Sequence, residues 1–286
     1  MTAERPAVGV HPTATDRSMP VVELGLEAEA RGLRSVSFPE HTHIPLDSEG
    51  AAERYQRALD PFVASSFVAA TTSLEVGTGI SLVAQHDAIS LAKAVATLDH
   101  LSEGRFVLAV GFGYNRPEVE AHGVPFARRA GVVDDTVRLM RALWTQDEAA
   151  YEGEHRRLAP SYSWPKPIRP GGPLVLLGAR GSERNFERIV DWADGWLPMG
   201  NGLVARPDRA SELDELRKRW ADAGREAPLE VCCFFNAGPV DEMARELELA
   251  AELGVQRMQV YVEDRDREAL LPILDDVATA VEQAMA

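Results

Sequence analysis

His41 is the side chain best suited to proton chemistry in this sequence. It directly follows Glu40, just beyond the short apolar run 35–38. Imidazole is the side chain whose unperturbed titration falls near neutral pH, and a neighbouring carboxylate can orient it. His43 lies two residues further on. No third ligand stands close enough to complete a usual zinc set, so no metal is expected. Two glycine-rich segments offer a second kind of chemistry. They are Gly111-Phe112-Gly113-Tyr114-Asn115 and Gly178-Ala179-Arg180-Gly181-Ser182. Glycines let the backbone approach a phosphate closely, and the N–H groups at a helix start point toward it. A plain tight turn is the competing reading for each. Neither a GxSxG nucleophile elbow nor a P-loop occurs.

These residues fall between short apolar strands and amphipathic helical stretches that alternate along the chain. Strands are expected at 8–10, 35–38, 74–83, 106–110, 174–177, 195–198, 229–235 and 257–262. Helices are expected at 20–31, 60–72, 88–101, 127–144, 182–193, 208–223, 240–253 and 267–284. Pro20 suits a first turn and Gly32 the residue past a helix end, and Asp60-Pro61 reads as an N-cap followed by proline at N1. The rhythm breaks at 146–173, where Pro160, Pro165, Pro167, Pro170 and Pro173 cluster. That segment reads as an insertion with a small hairpin at 150–158. Eight alternating units imply parallel strands with right-handed crossovers, closed into a (β/α)8 TIM barrel of the α/β class. An open doubly wound sheet would carry a glycine fingerprint after the first strand, and His11-Pro12-Thr13-Ala14 is not one.

A barrel of this kind builds its site at the C-terminal ends of the strands. That rule gathers His11, then Glu40, His41 and His43, then Gln85 and His86, both glycine turns, Met199 to Asn201, Asn236, and Glu263 with Asp264. Phosphate sites in such barrels more often follow the last two strands, so the glycine turns here are displaced from the common place. Tyr55, Phe62, Trp164 and Phe235 are candidates for an apolar substrate pocket. The 286 residues are 45% hydrophobic and 26% charged, an ordinary globular composition spread over one insertion-bearing domain, 1–286. The net charge of −15 argues against nucleic acid and against anionic membranes. No run of 18 apolar residues and no leader-like segment at 1–9 is present, so a cytoplasmic location is expected. Cys232 and Cys233 are adjacent and would point to opposite faces of a strand, which disfavours a disulfide between them.

Five blocks carry a resemblance to a known family. They are Ser37-Phe-Pro-Glu-His-Thr-His-Ile-Pro45, the stretch from Leu91 through Leu98-Asp-His-Leu-Ser-Glu-Gly-Arg-Phe106, Val110-Gly-Phe-Gly-Tyr-Asn-Arg116, Ser163-Trp-Pro-Lys-Pro-Ile168 and Ala193-Asp-Gly-Trp-Leu-Pro198. Together they resemble the luciferase-like monooxygenase superfamily, in its branch of deazaflavin (coenzyme F420)-dependent oxidoreductases. The resemblance implies a hydride-transfer enzyme acting on a small organic substrate, and a homodimer. Two alternatives are an FMN-dependent monooxygenase fed with reduced flavin and a non-catalytic flavin-binding barrel. It implies cofactor contacts from Gly111, Gly113 and Asn115 on one turn. The other turn would supply Gly178, Ala179, Arg180, Gly181 and Ser182. A strand-three bulge behind the ring, with a cis non-proline bond in several members, would fall among Thr78, Gly79, Ile80 and Ser81. His41 matches a histidine near the reactive ring carbon, with Glu40 beside it. Tyr114 stands where deazaflavin-dependent sugar dehydrogenases carry an acid glutamate, a departure that puts sugar-phosphate oxidation in doubt.

Overall fold

The computed structural model describes residues 5–48 and 52–285; the first four residues of the 1–9 stretch lie outside them. In chain order the chain forms β1 (Ala7–Pro12), α1 (Val21–Ala30), β2 (Ser35–Phe38), α2 (Pro61–Thr71), β3 (Glu75–Ser81), α3 (Ala88–Leu101), β4 (Phe106–Val110), α4 (Arg116–Ala121) and α5 (Arg129–Thr145). A hairpin follows, β5 (Ala149–Glu152) with β6 (Arg157–Ser161). Then come β7 (Leu174–Ala179), α6 (Glu183–Trp192), β8 (Gly195–Pro198), α7 (Arg209–Asp222), β9 (Glu230–Asn236), α8 (Val240–Glu252), β10 (Arg257–Val262) and α9 (Arg267–Met285). Eight parallel strands close into a barrel in the order β1-β10-β9-β8-β7-β4-β3-β2. This is the (β/α)8 barrel with its insertion between α5 and β7.

Local chemistry explains the element ends. Asp60 accepts from the Phe62 and Val63 amides, each at 2.9 Å, and Pro61 opens α2 with its fixed φ. Alternation along the strands makes two cores. Val107, Ala109, Leu174, Leu176, Leu197 and Cys232 fill the barrel interior, while the neighbouring strand residues pack outward under the helices. The adjacent cysteines therefore part company: Cys232 points inward and Cys233 outward, and both are free thiols. Several elements depart from the expected string, among them these three. A 3-10 turn spans Glu53–Arg57, and the two-turn α4 stands where only a loop followed the GFGYN segment. The hairpin is longer than the expected 150–158, running from Ala149 to the end of its second strand, Arg157–Ser161.

The insertion is tied to the barrel wall. Asp99 on α3 is fully buried, and its Oδ2 accepts from the backbone amides of Ile168 at 2.8 Å and Arg169 at 3.4 Å. Lys166 Nζ donates to the Leu143 carbonyl at 2.8 Å. Removing the carboxylate strands two amide donors, at a cost of about 1–3 kcal/mol. Asp99→Ala is therefore expected to lower the melting temperature and to open new proteolytic sites at 162–172 while the rest of the barrel stays resistant. Limited proteolysis read by mass spectrometry checks this, and an unchanged cleavage map contradicts it.

Candidate active site at the barrel mouth

The strand ends surround a cavity of about 720 Å³. Its floor is set by the irregularity in β3. The pairing of β3 with β4 slips between Thr78 and Ser81, and the Gly79–Ile80 peptide is cis. The slip leaves Ile80 pointing into the mouth. A Cβ on Gly111 would collide with Ile80 Cδ1, and one on Gly178 would lie 2.7 Å from Ile80 Cγ2. Gly79 faces the His11 ring, 2.8 Å from where its own Cβ would be. The flanking hydroxyls turn to structural partners. Thr78 donates to the Ala109 carbonyl at 2.7 Å and Ser81 donates to Glu40 at 2.6 Å.

Two buried carboxylates hold the loops above this floor. Glu40 accepts from Ser81 Oγ and the Leu82 amide, each at 2.6 Å, and its other oxygen is 2.7 Å from His86 Nε2. Burial opposes its charge, but these hydrogen bonds and the His86 charge together hold its pKa below the usual carboxylate range. On the other side, burial works to lower the His86 pKa and Glu40 outweighs it, leaving it raised. Glu118, in the first turn of α4, is also fully buried. Its Oε2 is 2.8 Å from His41 Nδ1, and its Oε1 accepts from the Thr42 amide at 3.3 Å. His41 lines the cavity between Tyr55, whose ring centroid is 4.6 Å away, and Tyr114, at 5.7 Å and edge-on. The Tyr114 ring is 62% exposed at the mouth. Its pKa is raised by partial desolvation and then by the Glu118 charge.

From His41 an arc of rings and cations continues around the mouth. The Arg54 guanidinium lies 4.9 Å from the Tyr55 ring and 5.8 Å from the Tyr261 ring. Tyr261 is 5.9 Å from His11, which sits against Phe234 at 4.6 Å. The opposite wall, over β4 and β7, carries Phe112, Arg129, Arg180 and Asn185. Arg129 stacks on Phe126 at 3.7 Å and donates from Nε to the Gly113 carbonyl at 3.0 Å. Arg180 is exposed at the end of β7. Among the described residues neither of these two arginines has a carboxylate partner. Desolvation and then Arg116 lower the Arg129 pKa, as expected of a cation held without a counter-ion.

The structure thus brings Glu40, His41, Gly79, Ile80, Gly113, Tyr114, Gly178, Ala179 and Arg180 to one cavity wall or another. It uses the remaining sequence candidates differently. Asn115 exchanges hydrogen bonds with Ser48. Gly111 makes room for Ile80, and Gly181 makes room for the Glu212 carboxylate that pairs with buried Arg209. The Ser182 hydroxyl caps α6 by accepting from the Asn185 amide. Of the four aromatic pocket candidates only Tyr55 lines the cavity. Phe235 is fully buried in the outer core, Phe62 packs against that core, and Trp164 is exposed on the insertion. Glu118, Arg54, Arg129 and Tyr261 were not read as site residues. For Glu118 a signal was present: Asn115-Arg116-Pro117 is a cap followed by proline, and it places an acid in a first helical turn.

The geometry defines a parallel (β/α)8 barrel whose mouth carries a histidine–carboxylate pair and, among the described residues, two arginines without a carboxylate partner. Comparison with known proteins gives the family. The luciferase-like monooxygenase family model matches residues 3–278, and the chain belongs to that family. An uncharacterised protein of Mycobacterium tuberculosis is 39% identical over 287 residues, covering 95% of each chain. An F420-dependent glucose-6-phosphate dehydrogenase of Amycolatopsis mediterranei is 30% identical over 166 residues, covering 54% of this chain and 48% of that one. An FMNH2-dependent dimethylsulfone monooxygenase of Pseudomonas putida is 26% identical over 188 residues, covering 64% and 50%. A monooxygenase from Streptomyces bottropensis shares the fold, with a TM-score of 0.79 at 17% identity over 98% of this chain and 99% of that one. The family is thus one of flavin- or deazaflavin-using oxidoreductases and monooxygenases acting on small molecules. Among the described residues no helix is long and apolar enough to cross a membrane.

His11 gives the site a readable acid limit. It is buried, its Nδ1 lies 3.0 Å from the Ser37 carbonyl, and desolvation lowers its pKa to about 4. An unfolded histidine takes a proton near pH 6.5. Between pH 6.5 and 4 the unfolded state therefore binds more protons than the folded one. Its contribution to stability is complete above pH 6.5 and lost as pH falls through that window, by about 3 kcal/mol. Denaturant unfolding at pH 7.5 and pH 4.5 should show His11→Gln losing about 2–3 kcal/mol less than wild type between the two. Equal losses would show that His11 is not the group responsible.

Proposed function

We propose that this protein transfers a hydride between a deazaflavin of the coenzyme F420 type and a small organic substrate, working as one barrel-plus-insertion domain in the cytoplasm. The observation that carries the reading is the division of the mouth. One wall holds two cations without counter-ions, Arg129 and Arg180, beside the start of α6. Beside it, between the segments after β2 and β4, stands the His41–Glu118 pair. An anionic phosphate suits the first wall, since charge-assisted hydrogen bonds to arginine are the strong ones and a helix start adds amide donors. The cavity volume falls within the range of about 300–1,000 Å³ typical of small-molecule and cofactor sites. A bound deazaflavin supplies two-electron hydride chemistry. The chain's own part is to hold the anionic tail at Arg129 and Arg180, to back the ring with Ile80, and to move a proton at His41. Tyr114, whose ring stands beside His41, brings a hydroxyl to the same space. Similarity to the Amycolatopsis enzyme supports the deazaflavin.

Equilibrium binding of oxidised F420 and of FMN, followed by fluorescence at matched concentrations, tests this. F420 is expected to bind the tighter, and Arg180→Ala to weaken it about 10–100-fold. His41→Ala is expected to keep cofactor affinity within a factor of about two while turnover falls about 10²–10⁴-fold. Preference for FMN, with oxygen consumed when reduced FMN is supplied, would make the protein a monooxygenase. Tight binding without turnover over a broad substrate panel would make it a carrier.

We also propose a homodimer. Val63 and Phe67, one turn apart on α2, are 57% and 56% exposed, and Ile89 on α3 is 47% exposed. Such apolar exposure on adjacent helices is characteristic of an interface. Light scattering should return twice the mass of one chain, and Phe67→Glu should halve it; a monomeric wild type dismisses the proposal.

A further inference from the structure

We infer that Glu118 is a positioning residue. It fixes the tautomer of His41 so that Nδ1 carries the proton and Nε2 presents its lone pair to the cavity. This rests on the reading of His41 as the proton-transfer group. The carboxylate of Glu118 is 1% exposed, and a charged group in such a place needs hydrogen-bonded partners. An ionised carboxylate only accepts, so the 2.8 Å contact requires a proton on His41 Nδ1. The other carboxylate oxygen is committed to the Thr42 amide. That second bond fixes the plane of the carboxylate and sets which oxygen meets the imidazole. His41 Nε2 has no partner among the described residues and is not sealed from the cavity. The rings of Tyr55 and Tyr114 on either side limit how far the imidazole can swing.

The same contacts could serve merely to clamp the β2–α2 loop onto α4. The two roles separate on the imidazole itself. A clamp leaves no demand on the tautomer once the loop is held by other means. A positioning carboxylate sets the tautomer and, by its charge, stabilises the imidazolium formed when Nε2 takes a proton. A group oriented this way accepts a proton from whatever binds over Ile80 and donates it only afterwards.

The test is the ¹⁵N spectrum of histidine-labelled protein at a pH where His41 is neutral, with the His41 signals assigned by loss in His41→Gln. Wild type is expected to show a protonated Nδ1 and an unprotonated Nε2. Glu118→Gln offers one oxygen to two donors; with that oxygen on the Thr42 amide, which can only donate, the side-chain NH2 faces Nδ1 and the ring is expected to take the Nε2–H form. Glu118→Ala is also expected to lose the wild-type tautomer, with the ring reverting to a predominant Nε2–H form. F420 binding within about twofold of wild type reports that the mouth is intact. A proton on Nε2 in wild type overturns the proposal, and so does an unchanged tautomer in Glu118→Ala. If Glu118→Ala does not fold, the wild-type and Glu118→Gln spectra still decide it. Undiminished turnover in His41→Ala would instead remove His41 from the chemistry, a separate result that leaves the tautomer reading standing or falling by itself.

Discussion

Two carboxylates buried at the mouth of the barrel dictate how its first loops are arranged. Burying a charge without partners is too costly to persist, so Glu40 and Glu118 must each be met by donors. Each is met by one histidine nitrogen and one backbone amide, and Glu40 by the Ser81 hydroxyl as well. The partners come from other loops. Glu40, after β2, reaches the segment after β3; Glu118, after β4, reaches back to the segment after β2. The loops after three neighbouring strands are thereby locked to one another. No loop can move alone without leaving a charge unpaired, which gives the site rigidity on a surface where loops would otherwise be mobile.

The field of the whole chain and the field of the cavity have opposite sign. The chain carries a formal net charge of −15. Within the mouth, Arg54 stands on one side and Arg129 with Arg180 on the other. A cavity walled by aromatic rings has a lower dielectric than water, so these few cations act more strongly there than their number suggests. Arg54 differs from the other two. It lies between two tyrosine rings and within 3.7 Å of a Glu263 oxygen, so part of its charge is already answered. Arg129 and Arg180 keep theirs for whatever enters.

The fold was legible because its signals are local and repeated. Apolar strand runs recur at every unit, a few helices add a proline at the start or a glycine past the end, as at Pro61 and Gly32, and each strand assigned from the pattern exists within a few residues. The short α4 escaped because two turns give no helical periodicity, and the glycine turns were read for only half of what they do. Gly113 adopts φ +76°, a turn requirement. Gly111, Gly178 and Gly181 are small because Ile80 and Glu212 need the space, and those neighbours lie 31 or more residues away in sequence. The same limit hid Glu118, whose partner His41 lies 77 residues away. Sequence reasoning found residues whose role is set by their own backbone, and missed those whose role is set by what packs against them.

Barrel order explains why the two working walls fall where they do. In the ring β1-β10-β9-β8-β7-β4-β3-β2, β7 lies four places from β1, and β4 lies four places from β10. Arg180 leaves β7 opposite His11 on β1. The turn holding Gly113 and Arg129 leaves β4 opposite Tyr261 on β10. A ligand whose anionic end meets the arginines must therefore run inward across the mouth. Ile80, wedged between Gly111 and Gly178, lies directly in that path and raises the floor, so a flat ring cannot sink between the strands. On the reading proposed above, a bound ring would lie near the loops after β2 and β4, where His41 and Tyr114 stand. On that reading, the bulge in β3 and the His41–Glu118 pair would act as one device, the first setting the height of the ligand and the second the nitrogen that meets it.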